Sequence, residues 1–250
     1  MSPPARQAAT LAASFLALLL LWQIASLVLQ TRALPPPAIV FGVLWSGLWS
    51  GEIIHHVAIT LGRVLVSFTL ALLIGSAIGL AMGLMKRTDR FFDPWLTLFL
   101  NVPALVTIIL CYIWFGLTEV AVIVAVAVNK IPNVAVTMRE GARTLERSYL
   151  ELAQIYEFGR IKTLRHVIVP QMAPYLAASG RSGLALIWKI VLVVELLGRS
   201  NGVGFQLHLF FQLFDVPSIL AYTIAFVIIV QILEFGVLQP WERHAGRWRR

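Results

Sequence analysis

Residues 7–31 contain no charged side chain. A helix of that length rises about 37 Å, more than the ~30 Å hydrocarbon core of a bilayer. A second uncharged run covers 64–85, and further apolar stretches follow it. The constraint is severe, because a chain built of such runs forms transmembrane helices rather than a water-soluble core. Composition agrees: 59% of the 250 residues are hydrophobic and 13% are charged, well outside the usage of soluble domains. The first run is too long for a signal-peptide core, and no A-x-A site follows it promptly, so it reads as a retained span.

Six spans are expected, in an all-α polytopic membrane protein with one transmembrane domain over 1–250. Arg32 and the prolines at 35, 36 and 37 end the first. Trp45 and Trp49 suggest a short helix in the membrane interface. The second span lies near 56–85, and the third covers about 94–116 with Asn101 and Pro103. The fourth, about 119–138, carries Lys130 and Pro132; the fifth, about 174–197, carries Arg181 and Lys189; the sixth is near 216–238. Fourteen of the 20 Lys and Arg fall on the side that holds both termini and the 139–171 loop, and two on the other. The positive-inside rule puts both termini and that loop in the cytoplasm. The net charge of +8 is confined to short loops and the tail, which argues against a nucleic-acid partner. The single cysteine, Cys111, allows no intrachain disulfide.

The 148–170 stretch, SYLELAQIYEFGRIKTLRHVIVP, interrupts the apolar pattern. Ser148 and Glu151 fit a capping box. Tyr149, Leu152, Ala153 and Tyr156 then form one apolar stripe at helical spacing. Gly159 can take the left-handed conformation that ends such a helix. A second amphipathic piece, with Ile161, Leu164 and Ile168, is expected to stop at Pro170. Two short amphipathic helices between spans form a docking element for a soluble partner.

This stretch resembles the EAA loop of permease subunits in binding-protein-dependent ABC importers. Glu151, Leu152 and Ala153 take the E-A-A places, and Val167, Val169 and Pro170 the I-x-L-P places, with no gap between. The pattern's Gly falls on Glu157, a departure that assigns the turn to Gly159 and lengthens the first helix by about half a turn. Leu34-Pro35-Pro36-Pro37, Thr60-Leu61-Gly62-Arg63-Val64-Leu65, Asp93-Pro94, Trp114-Phe115-Gly116, the 188–195 stretch and Gly202-Val203-Gly204-Phe205 resemble the nitrate, sulfonate and taurine branch. The resemblance implies a type I importer permease in the bacterial inner membrane. It implies a permease dimer made of two copies of the chain, two ATPase subunits that hold ATP-Mg, and an extracytoplasmic binding protein. The solute implied is a small anion, with a vitamin precursor or an aromatic compound as the alternative. ATPase coupling would fall to Glu151, Leu152, Ala153, Tyr156, Glu157, Gly159 and Pro170.

Catalytic chemistry is not evident. A P-loop requires G-x-x-x-x-G-K-[ST], and none of Lys86, Lys130, Lys162 and Lys189 follows a glycine, so no nucleotide cofactor is expected on this chain. Gly180-Arg181-Ser182-Gly183 matches the G-x-S-G of rhomboid-like proteases, but no histidine lies in the sixth span to serve as base. Small residues that permit helix contact explain the match better. An ion-coupled carrier working alone is a further alternative. His55 and His56 are adjacent and point to different sides of a helix, so they suit an interface better than a metal. Glu195, Arg199 and Asp215 border an outer loop, as solvated rim charges or as a surface for the binding protein. Lys130 and Lys189 lie about 13–17 Å deep in their spans, where an ionisable group usually faces a pathway or a partner. Four such lysines near the axis of a dimer would favour an anion. The structural alternative is that Lys189 snorkels or pairs with Glu195, and that Lys130 bonds carbonyls freed by Pro132. Asn101, Pro103, Lys130, Pro132, Lys189 and Glu195 are the pathway candidates.

Overall fold

A computed structural model describes residues 3–240, and these are almost entirely helical. Eleven helices follow in order: α1 (Pro3–Leu29), α2 (Pro37–Trp49), α3 (Glu52–Leu84), α4 (Lys86–Asn101), α5 (Ala104–Phe115), α6 (Glu119–Arg143), α7 (Arg147–Ile155), α8 (Arg160–Thr163), α9 (Val169–Gly198), α10 (Val203–Gln212) and α11 (Val216–Leu233). Two π-helical turns, Leu164–Ile168 and Glu234–Leu238, complete them. No strand occurs among the described residues. The C-terminal arginines at 243, 247, 249 and 250, counted above for orientation, lie outside the described residues.

By length and composition α3, α6 and the 216–236 helix can each cross a bilayer. The expected third span is not one helix. It starts earlier, at Lys86, and breaks between α4 and α5 with a 97° bend. Val102 is extended (φ −71°, ψ 124°), as a residue before proline prefers, and Pro103 caps α5. The fifth expected span is α9, 30 residues long, with Arg181, Lys189 and Glu195 in it. The first is α1, apolar over Ala13–Leu29; Trp22 Nε1 and Ser26 Oγ donate to the carbonyls of Pro35 and Leu34, which ties α1 to the turn after it. Trp45 and Trp49 stack on the exposed face of α2.

The core is the α3, α6 and α9 triad, with α10 and α11 packed against one end of it. Its tightest seam is set by Gly75, Gly79 and Gly83, spaced by four on one face of α3. A Cβ at Gly75 would sit 2.7 Å from Val134 Cβ; one at Gly79 would strike the Ala135 carbonyl, and one at Gly83 the Ala142 Cβ. Small residues let the α3 and α6 backbones approach where dispersion, not dehydration, drives helix association. α3 and α6 run parallel, the pairs Gly75–Val134, Gly79–Ala135 and Gly83–Ala142 advancing together, so this seam reaches the end of the bundle that carries α7 and α8. The opposite end carries a set of buried charges.

Candidate functional site

Two sites stand at opposite ends of the triad. The first is the loop between α6 and α9. The capping box does not form: the chain enters α7 two residues earlier, with Glu146 at the cap and no side-chain cap bond. Ser148 is already inside the helix and donates to Glu146 Oε1 at 3.0 Å. Gln171 of α9 takes over part of the capping, accepting from the Glu146 N–H at 3.0 Å. The end of α7 is also different from expectation. Gly159 is extended (φ −61°, ψ 161°) and opens the next helix. The left-handed residue is Glu157 (φ 52°), the position at which the EAA pattern has glycine. The Phe158 N–H donates to the Ala153 carbonyl at 2.8 Å and the Glu157 N–H to Gln154 at 3.0 Å. That pair of bonds is a Schellman motif, closed here by a glutamate. The helix is therefore not lengthened; the turn stays in the family's register, at the cost of a Cβ in a left-handed conformation.

Pro170 does not stop the second helix. It lies in the first turn of α9, where a missing N–H is tolerated. The chain runs from α8 through the π turn into α9 without a break, and the Val169 N–H donates to Leu164, five residues back. The apolar stripe of α7 divides. Ala153 is 4% exposed and faces its own chain, whereas Tyr149, Leu152, Ile155 and Tyr156 are all exposed. Glu151 is exposed as well. α7 thus presents an apolar face with no partner among the described residues.

The second site joins residues far apart in sequence. Arg63 of α3, 4% exposed, donates through Nη1 to Glu195 of α9 at 2.7 Å and to the Asn201 carbonyl at 2.9 Å. Its Nε and Nη2 hold Glu119 at the start of α6, at 2.8 and 2.6 Å. Arg199 also donates to Glu119 and to the Leu117 carbonyl. Glu195 is fully buried, so it is no rim charge. Thr60 Oγ1 donates to it at 2.9 Å, and the Gly204 N–H at 2.9 Å. Gly202 adopts φ 102°, and a Cβ there would strike the Glu195 carboxylate. The Gly202 N–H donates to His56 Nδ1 at 3.0 Å. Neutral His56 therefore keeps its proton on Nε2, 2.7 Å from the Gln206 amide, which accepts it through Oε1 when the amide is so turned. Two arginines and two glutamates balance in charge, as buried ions must.

This second site gathers several resembling segments, Thr60 with Arg63, Glu195, and Gly202 with Gly204, into one node. The sequence reading took Glu195 and Arg199 one at a time and missed Arg63 and Glu119. The available signal was opposite charges at equal depth on neighbouring spans.

The pathway candidates do not converge. Asn101 is exposed and donates to its own helix at Thr97, 2.7 Å away. Pro103 and Pro132 mark the α4/α5 break and the interior of α6. Lys130 is 3% exposed, packed so that a Cβ at Gly183 would lie 3.1 Å from its Cε. No hydrogen bond or ion pair holds it among the described residues, including none to carbonyls near Pro132. Lys189 is exposed, on the same outward stripe of α9 as Leu186, Val193 and Leu197. It has no pairing with Glu195, whose carboxylate is fully engaged elsewhere.

Residues 67–237 match the family described as binding-protein-dependent transport system inner membrane component. The chain is 29% identical to the taurine transport system permease protein of Escherichia coli (strain K12), over 95% of this chain and 92% of that one. It is 28% identical to a Bacillus subtilis (strain 168) protein named for aliphatic sulfonates transport, over 89% and 80%, and 30% identical to the riboflavin transport system permease protein of Chloroflexus aurantiacus, over 86% and 80%. A solved structure of an amino acid ABC transporter shares the fold, with a TM-score of 0.61 at 21% identity, covering 80% of this chain and 97% of that one. The chain belongs to the family of binding-protein-dependent transport system inner membrane components, and it is a membrane-embedded permease subunit of an ABC importer.

Proposed function

We propose that this chain forms half of a translocation pathway for a small organic anion of the sulfonate class. It is one transmembrane domain with its 139–171 loop and both termini in the cytoplasm. Two copies pair, two ATPase subunits carrying ATP-Mg dock on the loops, and an extracytoplasmic binding protein delivers the solute to the opposite end. The docking contact is the exposed face of α7, with Leu152 and Tyr156 at its centre and Glu151 beside them. Ala153, Glu157, Gly159 and Pro170 shape the loop from within.

Lys189 carries the substrate reading. A cation exposed along an otherwise apolar stripe of a spanning helix is costly against lipid and favoured against a watery pathway that an anion uses. Relatives named for taurine and aliphatic sulfonates support the class. A relative named for riboflavin marks the competing class, a vitamin or other aromatic compound.

The test is ATP-driven uptake of labelled alkanesulfonate by vesicles holding the chain with its ATPase subunits. Leu152→Asp should lose the ATPase subunits while the chain still inserts. Lys189→Met should keep the complex and lose uptake by about tenfold or more, the scale of one removed charge contact. Normal sulfonate uptake by Lys189→Met overturns the anion pathway. Uptake of flavin in place of sulfonate transfers the pathway to the aromatic class.

A further inference from the structure

At the α7 end, the start of α4 and the end of α6 enclose a cavity of about 570 Å³. Lys86, Arg90, Arg143 and Arg147 line it, with Asp89 as the one acidic side chain. Asp89 is already engaged, by Arg143 at 2.6 Å and Arg139 at 3.5 Å. Lys86, Arg90 and Arg147 have no hydrogen bond or ion pair among the described residues, and all three are exposed. The cavity therefore holds three uncompensated cations. α4 adds more positive potential. It is 16 residues long, and its first turn has no side-chain cap, so the amides at 86–88 keep their donors.

The neighbouring surface is apolar. Leu84 lines the same cavity and is 44% exposed, and Met85, Phe91 and Trp95 are more than half exposed along the adjoining helices. A soluble anion has no use for that surface; an amphiphile with an anionic head does. We propose that this cavity binds the phosphodiester head group of an anionic membrane lipid, whose acyl chains lie along the exposed sides of α3 and α4. Arg147 belongs to α7, so the bound head group ties the docking helix to the ends of α3 and α4. The inference is independent of which solute the permease carries.

The experiment is lipid titration of the delipidated transporter, with its ATPase subunits, in dodecyl maltoside, with bound lipid counted by native mass spectrometry. Dioleoyl phosphatidylglycerol should bind saturably and at least about tenfold more tightly than dioleoyl phosphatidylcholine. Each of Lys86→Gln, Arg90→Gln and Arg147→Gln should weaken it about fivefold, and the three together about a hundredfold. Arg87→Gln, in the same turn but outside the cavity, should change nothing. Equal binding of the two lipids, or wild-type binding by the triple variant, overturns the site. Displacement by glycerol 3-phosphate at equal concentration overturns the lipid assignment in favour of a soluble anion. Binding to the chain alone but not to the complex assigns the cavity to the ATPase interface and overturns it likewise.

Discussion

Glu195→Gln is the most incisive change available in the charged node. The side chain keeps its shape, but no orientation of the amide works. One carboxylate oxygen faces Arg63 Nη1 at 2.7 Å, and the other faces the Gly204 N–H at 2.9 Å. Either way the new NH₂ group meets a donor. The charge balance also fails: two arginines remain against Glu119, which is half exposed and shared. Breaking a buried pair from one side costs about 3–5 kcal/mol, because the remaining ion stays buried. Arg63→Met should cost a similar amount by the same reasoning. The double variant Arg63→Met/Glu195→Gln leaves Glu119 with Arg199 and no orphaned ion, and the amide oxygen can then accept from the Gly204 N–H with no arginine facing the NH₂. It should cost less than the sum of the singles by about 2 kcal/mol or more. Reversible unfolding in mixed micelles, followed by circular dichroism, measures all four proteins. Additive single and double effects, or a Glu195→Gln cost below about 1 kcal/mol, would refute the reasoning.

Glu157→Gly should stabilise the end of α7 by about 1 kcal/mol, since glycine adopts φ 52° without a Cβ clash; slower proteolysis of the loop with unchanged recovery of ATPase subunits is the expected result. Gly79→Ala should cost about 1–3 kcal/mol by pushing α3 off the Ala135 carbonyl, whereas Gly42→Ala, with open space around it, should be neutral or better in the same unfolding assay. Lys130→Met should raise stability by about 1–3 kcal/mol, because it removes a buried ammonium that has no partner among the described residues; a loss would mean that the charge is held.

The helical character was legible because apolar runs of that length leave the chain few choices, and α3, α6 and the 216–236 helix are long and apolar enough to cross a bilayer, whereas the expected third span is a bent pair. Pro103 announced a disturbance, but not a 97° break, since the angle depends on what α4 and α5 pack against. Ser148 and Glu151 satisfied a local pattern that lost to a tertiary bond, from the Glu146 N–H to Gln171. Pro170 fits a stop by the rule for helix interiors, but a first turn tolerates proline, and the chain reaches Pro170 there. Glu157 is instructive in the other direction. Nothing in glutamate's own preferences predicts a left-handed residue, yet the register of the EAA pattern pointed to the right position. The node was the hardest to read: Arg63 and Glu195 are 132 residues apart, and each alone looked like a charge at the end of a span. The glycines at 75, 79 and 83 were visible as a four-residue spacing and went unused.

The seating of Glu195 has a mechanical consequence. α9 is held near its far end by the buried charge of Glu195 on Arg63, Thr60 and Gly204 together, and near its other end by neutral hydrogen bonds, from the Glu146 N–H to Gln171 and between Thr144 and Tyr175. A rod fixed firmly at one end and lightly at the other turns about the firm one. Lys189 is six residues from that fulcrum, about 9 Å, and Gln171 is 24 residues away, about 36 Å. α9 is then a lever with a ratio of about four to one, and a displacement of about 4 Å at the loop shifts Lys189 by about 1 Å. Large strokes at the loop become fine adjustments beside Lys189.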